Sequence, residues 1–221
     1  SRELVELAER KGVQLMVGHV LLFHPAIRKI KKIIDSGELG NLYYLYSNRL
    51  NLGTVRTEEN VFWSFAPHDI SVLDYFVGHS AEKIVSKGSK FLQENVYDVT
   101  ITQLDYPNNV HAHIFVSWLH PFKEQRLVVI GSKGMISFDD ASIDKEIKFY
   151  DKRIHFEKGI PVKVENPTRI IPYEQKQPLT EELKYFIEHL DKKIEIADGR
   201  SGLEVVKVLE EAEKKLRIGS Q

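Results

Sequence analysis

Two hydrophobic rhythms alternate along this chain, one of helical period and one of period two. From Ser1 to Lys11 the spacing is helical, with Leu4, Leu7 and Ala8 on one face and Gly12 placed to end the helix. Val13 to Gly18 is a short, mostly apolar run (VQLMVG), as expected of a strand buried in a parallel sheet. Helical spacing returns from Pro25 to Ser36, where Ile27, Ile30, Ile33 and Ile34 form the stripe and Gly37 the stop. Residues 41–51 alternate as a strand. A helix is expected over 67–77, opened by Pro67 at its first position and striped by Ile70, Leu73, Phe76 and Val77.

A long β region follows, with strands expected at 82–92, 96–105, 110–118, 125–130, 135–138 and 147–150. Pro107-Asn108-Asn109 and Gly131-Ser132-Lys133-Gly134 mark hairpins within it. A loop carrying Pro161, Pro167 and Pro172 then leads to two last helices. Leu183, Phe186, Ile187 and Leu190 stripe the first, and Ser201 with Glu204 forms a capping box at the start of the second.

Helices, a run of antiparallel strands and helices again predict an α+β fold: one large open, mostly antiparallel sheet with helices on one face. The opening helix and strand read differently, as the closing unit of a doubly wound dinucleotide-binding domain. Residues 1–20 are therefore expected to be a remnant of that domain, and 21–221 a self-contained second domain. The alternative is a small protein that starts with a helix and an edge strand. Strand 110–118 offers an apolar face (Val110, Ala112, Ile114, Val116, Trp118) broader than the flanking helices can cover, which suggests self-association through the sheet.

Composition narrows the function. The 221 residues carry a net charge of −1 with no basic block, which argues against a nucleic-acid or anionic-membrane surface. No cysteine is present, so disulfides, thiol catalysis and thiolate metal sites are excluded. No apolar run approaches the ~20 residues of a membrane span, and no signal-peptide pattern opens the chain, so a cytoplasmic setting is expected.

The candidate chemistry centres on VFWSFAPHDISVLDYFVG (61–78). A histidine in the first turn of a helix feels the positive helix end, which disfavours its charged form and leaves a neutral, proton-accepting imidazole near pH 7. His68 is placed to be such a base; the bland alternative is an ordinary capping-turn histidine. Arg49 and Asn51 lie two apart on a strand, ~6.6 Å along one face, and a guanidinium beside an amide suits a diphosphate and a sugar or base edge. Against that stands a solvated strand end with Arg49 in a surface ion pair. His19 follows the last parallel strand, where ligands of open α/β sheets collect. His111 and His113 share a strand face, but no third ligand stands at sensible spacing, so no metal site is expected.

Three separated segments in order, VGHVLLFHPAIRKIKKIIDSGELGNLYYLYSNRLNLG, NVFWSFAPHDISVLDYFVG and SWLHPFKEQRLVVIGSKGMISFDD, together with the closing GRSGLEVVKVLEEAEKKL, resemble the C-terminal domain of the Gfo/Idh/MocA oxidoreductases. Within that family they most resemble sugar-nucleotide dehydrogenases that oxidise the 3-hydroxyl of UDP-N-acetylglucosamine-type substrates. The resemblance implies NAD or NADP as cofactor, bound mainly by an N-terminal domain. Neither a G-x-G-x-x-G turn nor the family's Glu-Lys-Pro motif occurs in these residues. It implies a nucleotide-sugar or sugar substrate, and a homodimer or homotetramer through the sheet. The family's catalytic histidine falls on His68 and its substrate contacts on the segment of Arg49 and Asn51, with Arg56 just beyond on the connecting loop. Trp63 is a candidate pocket wall, with an ordinary core aromatic as the alternative. His19 would border the nicotinamide. One departure stands out: where the family has W-D-L-A-P-H-D, this chain has W-S-F-A-P-H-D, with Ser64 in the aspartate's place. A non-catalytic ligand-binding and oligomerisation module is the competing expectation.

Overall fold

Strand alternation decides the architecture. In the computed structural model, which describes residues 1–218, there are ten strands: β1 (Leu42–Leu50), β2 (Lys83–Ser89), β3 (Val99–Tyr106), β4 (Val110–Ser117), β5 (Glu124–Gly131), β6 (Met135–Asp139), β7 (Ile147–Tyr150), β8 (Lys152–Glu157), β9 (Ile160–Glu165) and β10 (Arg169–Ile171). Eight join one open sheet in the order β10-β7-β6-β5-β1-β4-β3-β2. All its pairings are antiparallel except β1 with β4. The helices are α1 (Arg2–Lys11), α2 (Pro25–Asp35), α3 (Val61–Val77), α4 (Pro178–Glu188) and α5 (Gly199–Ile218).

One face of the sheet is continuous across the register. Leu45 lies opposite Ala112 and Val129, Val129 opposite Ile136, and Ile136 opposite Phe149, all of them buried. Onto this face α3 lays Phe62, Ala66, Ile70, Leu73 and Phe76, while α2 adds Ala26, Ile27, Ile30 and Ile33. Each large apolar side chain buried there contributes roughly 1.5–3 kcal/mol. The apolar face of β4 is thus fully covered, and it is not the surplus surface that its alternation suggested. The uncovered face is the other one, which mixes aromatic and polar groups: Tyr44, Tyr46, His111 and His113, with Tyr46 and His113 stacked at 5.0 Å.

Several local expectations differ from the structure. Residues 13–18 do not form a strand. They run extended, with one isolated antiparallel bridge from Met16 to Asp198, because no neighbouring strand supplies a ladder. The proline-bearing stretch after β7 holds the β8–β9 hairpin. Its turn works because Lys158 and Gly159 both take positive φ (52° and 84°), as a type I′ turn demands. Pro161 is accommodated since a two-stranded ribbon is all edge. Of the stripe expected for α4, Leu183 and Ile187 are exposed, as is Leu190 just past the helix, Phe186 is half-buried, and Glu182 is the buried residue of the helix. Finally, α5 begins before Ser201. The carboxylate of Asp198 accepts from the Ser201 amide at 2.8 Å, which makes Asp198 the cap, and Glu204 bonds to Lys207 instead of closing a box.

Gly131 shows how tightly the β5–β6 hairpin sits on the chain before β1: a Cβ there would lie 2.2 Å from the Leu39 carbonyl oxygen. Among the described residues no helix is long and apolar enough to cross a membrane.

Candidate active site on helix α3

The start of α3 sets the chemistry. Asn60 precedes the helix, and its side-chain oxygen accepts from the Phe62 and Trp63 amides at 2.9 and 3.1 Å. That N-cap outcompetes Pro67, which lies inside the 17-residue helix rather than at its first position. His68 is therefore two turns in, beyond the reach of the helix-end field. Its proton affinity is nevertheless lowered, by burial first and by the charge of Arg49 second, while Asp69 pulls the other way. The lowering expected from the helix end thus has a different cause here, burial and the Arg49 charge.

Arg49 does not stand free. On β1, Ser47 and Arg49 face α3, and both grip Asp69, the residue after His68. Ser47 Oγ donates to Asp69 Oδ1 at 2.6 Å, Arg49 Nε donates to Oδ2 at 2.8 Å, and Arg49 Nη2 donates to Oδ1 at 3.1 Å. Asp69 is only 4% exposed. The sequence reading missed this carboxylate, because an Asp directly after a histidine gives no sign of which strand it will meet.

Beneath the clamp lies a small cavity of about 30 Å³ between sheet and helices, lined by His24, Arg49, Asp69, Gln125 and Asp140 among others. It has room for a water with several polar partners. His24, also missed, caps α2 by accepting from the Ala26 amide at 3.1 Å, and its Nε2 lies 3.6 Å from Asp140 Oδ1. Burial would raise Asp140, but hydrogen bonds from His24 and Lys145 outweigh it and hold the carboxyl at about 2.

His19 is buried, and burial, then the neighbouring His68, lower it to about 4. His19 Nε2 and His68 Nδ1 are both buried without a hydrogen-bond partner. His19 also lines a cleft of about 390 Å³, with Ser71, Asp74, Ser201 and Glu204 on its walls.

The remaining candidates are more dispersed. Ser64 stands one turn before His68 on the same helix face, half-buried. Trp63 is turned toward α5, its indole Nε1 donating to Glu213 Oε2 at 3.0 Å. Asn51 lies just past the end of β1, where its amide donates to the Ser117 carbonyl at 3.1 Å. Arg56 is exposed on the following loop, 3.3 Å from Glu59. The structure thus brings His19, Arg49 and His68 together, keeps Ser64 on their side and leaves Arg56 and Asn51 at the rim. His111 pairs with Asp105 at 2.9 Å, and among the described residues no group of three or more His, Asp or Glu is placed to hold a metal ion.

Residues 27–137 match the family model described as the GFO/IDH/MocA C-terminal domain. The uncharacterized oxidoreductase YrbE of Bacillus subtilis is 27% identical over 152 residues, which cover 64% of this chain and 45% of that protein. Among solved structures, UDP-N-acetylglucosamine 3-dehydrogenase GnnA from Acidithiobacillus ferrooxidans superposes with a TM-score of 0.82 at 18% identity, over 97% of this chain and 66% of its own. The WlbA dehydrogenase from Bordetella pertussis, in complex with NADH and UDP-GlcNAcA, gives 0.72 at 18% identity, over 99% of this chain and 65% of its own. The chain spans about half the length of the curated relative and about two thirds of these solved chains.

Proposed function

The chain belongs to the GFO/IDH/MocA family, and from that premise we propose that it is the substrate-facing part of an NAD(P)-dependent oxidoreductase acting on a sugar or nucleotide-sugar hydroxyl. Oxidoreductases are among its relatives, and the UDP-linked amino sugars named for GnnA and WlbA, with the NADH of the WlbA complex, favour a UDP-linked amino sugar here. The observation that carries the reading is His68: a half-buried imidazole whose proton affinity is lowered by burial and by the nearby charge of Arg49, close to His19, which is itself lowered to about 4.

The two imidazole nitrogens without partners, His19 Nε2 and His68 Nδ1, fit the edge of a polar ring more than a phosphate. No glycine-rich phosphate cradle occurs in the sequence. The nicotinamide ring, when bound, supplies the hydride acceptor. His68 takes the proton of the sugar hydroxyl as the carbon beneath it is oxidised, which a neutral imidazole can do near pH 7. His19 borders the ring and stays uncharged. Asn51 and Arg56 meet the diphosphate or sugar at the mouth, Trp63 forms a wall anchored by Glu213, and Ser64 offers a hydroxyl where the family pattern has a carboxylate. Arg49 serves the site from behind, through Asp69.

The uncovered sheet face supports a homodimer or homotetramer. A shallow depression of about 540 Å³ lies there, lined by Tyr46, Val128, Met135 and Tyr150 together with charged groups such as Arg126, Glu146 and Lys148. Light scattering at micromolar concentration tests this, and a clean monomer would count against it.

The experiment for the activity uses the protein carrying both this chain and a dinucleotide-binding domain. UDP-N-acetylhexosamines and free sugars are offered with NAD or NADP, and reduced nicotinamide is followed by absorbance. Reduction with a UDP-N-acetylhexosamine supports the proposal; no reduction with any sugar or nucleotide sugar refutes it.

A further inference from the structure

Asp69 is the most heavily restrained carboxylate near the proposed base. It accepts three hydrogen bonds from two consecutive inward positions of β1, two of them from the fork of one guanidinium. We propose that Asp69 is a positioning residue for His68, and that the Arg49–Asp69–Ser47 clamp, rather than a free guanidinium, is what β1 contributes to the reaction. This rests on reading His68 as the proton carrier.

Stability alone gives a poor reason for such a clamp. The surrounding positions on this face are apolar: Leu45 on the same strand, Ile114 and Val116 on β4, and Ile70 and Leu73 on α3. A hydrophobic pair would suit that interface at least as well, since a buried ion pair often stabilises no more than well-packed apolar side chains. The clamp is the two-pronged charged contact from β1, and it meets α3 at the turn that carries His68. A two-pronged guanidinium contact fixes direction as well as distance, so the helix turn can neither rotate nor slide along β1. Ser71 Oγ donates to the His68 carbonyl at 2.8 Å, which ties the same turn once more.

The clamp also balances charge at the imidazole. The charged or titratable groups that act on His68 are Arg49 from β1, Asp69 on its own helix, and His19 from the segment before α2. Arg49 disfavours a proton on His68 and Asp69 favours one. Burial is the largest influence, Arg49 adds to it, and Asp69 partly offsets both. Removing the two charges separately must move the titration of His68 in opposite directions, and a loss in kcat with KM little changed separates positioning from simple scaffolding.

The test is an NMR titration of the His68 imidazole in the 221-residue chain, with the amide spectrum used to confirm that each variant is folded. Asp69→Asn is expected to lower the His68 midpoint by about one pH unit, and Arg49→Gln to raise it by a similar amount, the usual size for a charge at short range. Ser47→Ala keeps both charges and should leave the midpoint within a few tenths. Should the single variants not fold, Arg49→Met with Asp69→Leu restores an apolar contact. In the protein that also carries the cofactor domain, that double variant is expected to lose 10-fold or more in kcat with KM little changed. An unmoved His68 midpoint in both folded single variants, or full turnover in the folded double variant, would overturn the proposal. A His68→Asn enzyme with full turnover would instead remove the reading on which it rests, so the two failures can be told apart.

Discussion

The hydroxyl of Tyr106 donates to Asp74 Oδ1 at 2.7 Å, joining the end of β3 to the last turns of α3. That bond favours the charged carboxylate but is outweighed. Burial raises Asp74 most, the Tyr106 bond pulls it back, and Glu204 on α5 adds to the rise, leaving it at about 7 against an ordinary 3.8. The folded chain therefore holds a proton that the unfolded chain has lost between those values. The stability this group contributes is complete below about pH 4 and is lost as pH rises through about 7. Asp74→Asn is expected to flatten that part of the pH profile and to raise Tm at pH 8 by several degrees, since 1 kcal/mol is worth about 2–4 °C in a chain of this size. Thermal melts at pH 5 and pH 8 decide it. Equal pH dependence in both proteins would contradict the assignment.

The two ends proposed for α3 can be separated by mutation. Asn60 accepts two amide hydrogen bonds as the cap, so Asn60→Ala should cost about 1–2 kcal/mol in urea unfolding. Pro67 inside the helix cannot donate and crowds the preceding turn, so Pro67→Ala should stabilise by about 1 kcal/mol, a fraction of the usual interior penalty. A destabilised Pro67→Ala chain with a neutral Asn60→Ala would return the helix start to Pro67.

Trp63 and Glu213 connect α3 to α5 across 150 residues of sequence. A double-mutant cycle of Trp63→Phe and Glu213→Gln should give a coupling of about 1–2 kcal/mol, the range for a hydrogen bond to a charged group in a partly exposed setting. Glu213 also binds Arg217 at 2.7 Å, which the glutamine weakens in both backgrounds. A coupling near zero would show that the two helices are held by apolar packing alone.

These residues by themselves should not recognise the cofactor. The proposed binding elements toward the nicotinamide are His19 and His68, and the turn that would cradle phosphate is not in the sequence. Calorimetry of the 221-residue chain with NAD(H) is expected to give no heat at micromolar concentrations. Micromolar affinity would contradict the division of labour proposed between this chain and a dinucleotide-binding domain.

Much of the fold was legible because its sheet buries one face only. Alternation in β1, β4 and β7 gave their positions to within a residue, and the register of β4 follows directly from Val110, Ala112, Ile114 and Val116. Where the periodicity was right but the environment was not knowable, the reading went astray. Leu183, Ile187 and Leu190 are helically spaced, yet spacing does not say which side of α4 packs inward. The β8–β9 hairpin was hidden because prolines argue against a strand and Lys158 is an unusual residue for positive φ.

The site was half legible for a similar reason. Local sequence could single out His68, and the family resemblance could give it a role. It could not foresee Asn60 taking the cap, since an asparagine ten residues before the Ile70 stripe competes with a proline only three residues before it. Nor could it pair Arg49 with Asp69. Twenty residues separate them, and their meeting depends on how α3 crosses β1. Long-range charge pairs of this kind are written in tertiary geometry and leave no local spacing to read.

The central claim is that His68 carries the proton of the oxidised hydroxyl. The most direct measurement compares wild type and His68→Asn in the protein that also contains the dinucleotide-binding domain. The substrate is a UDP-N-acetylhexosamine or whichever sugar proves active, with a deuterium label on the reacting carbon to establish that hydride transfer limits the rate. Turnover is expected to fall by about 10²–10⁴-fold, the usual contribution of a general acid–base group, with KM changed far less. Unaltered turnover in His68→Asn, with a full isotope effect showing that chemistry is rate-limiting, would contradict it.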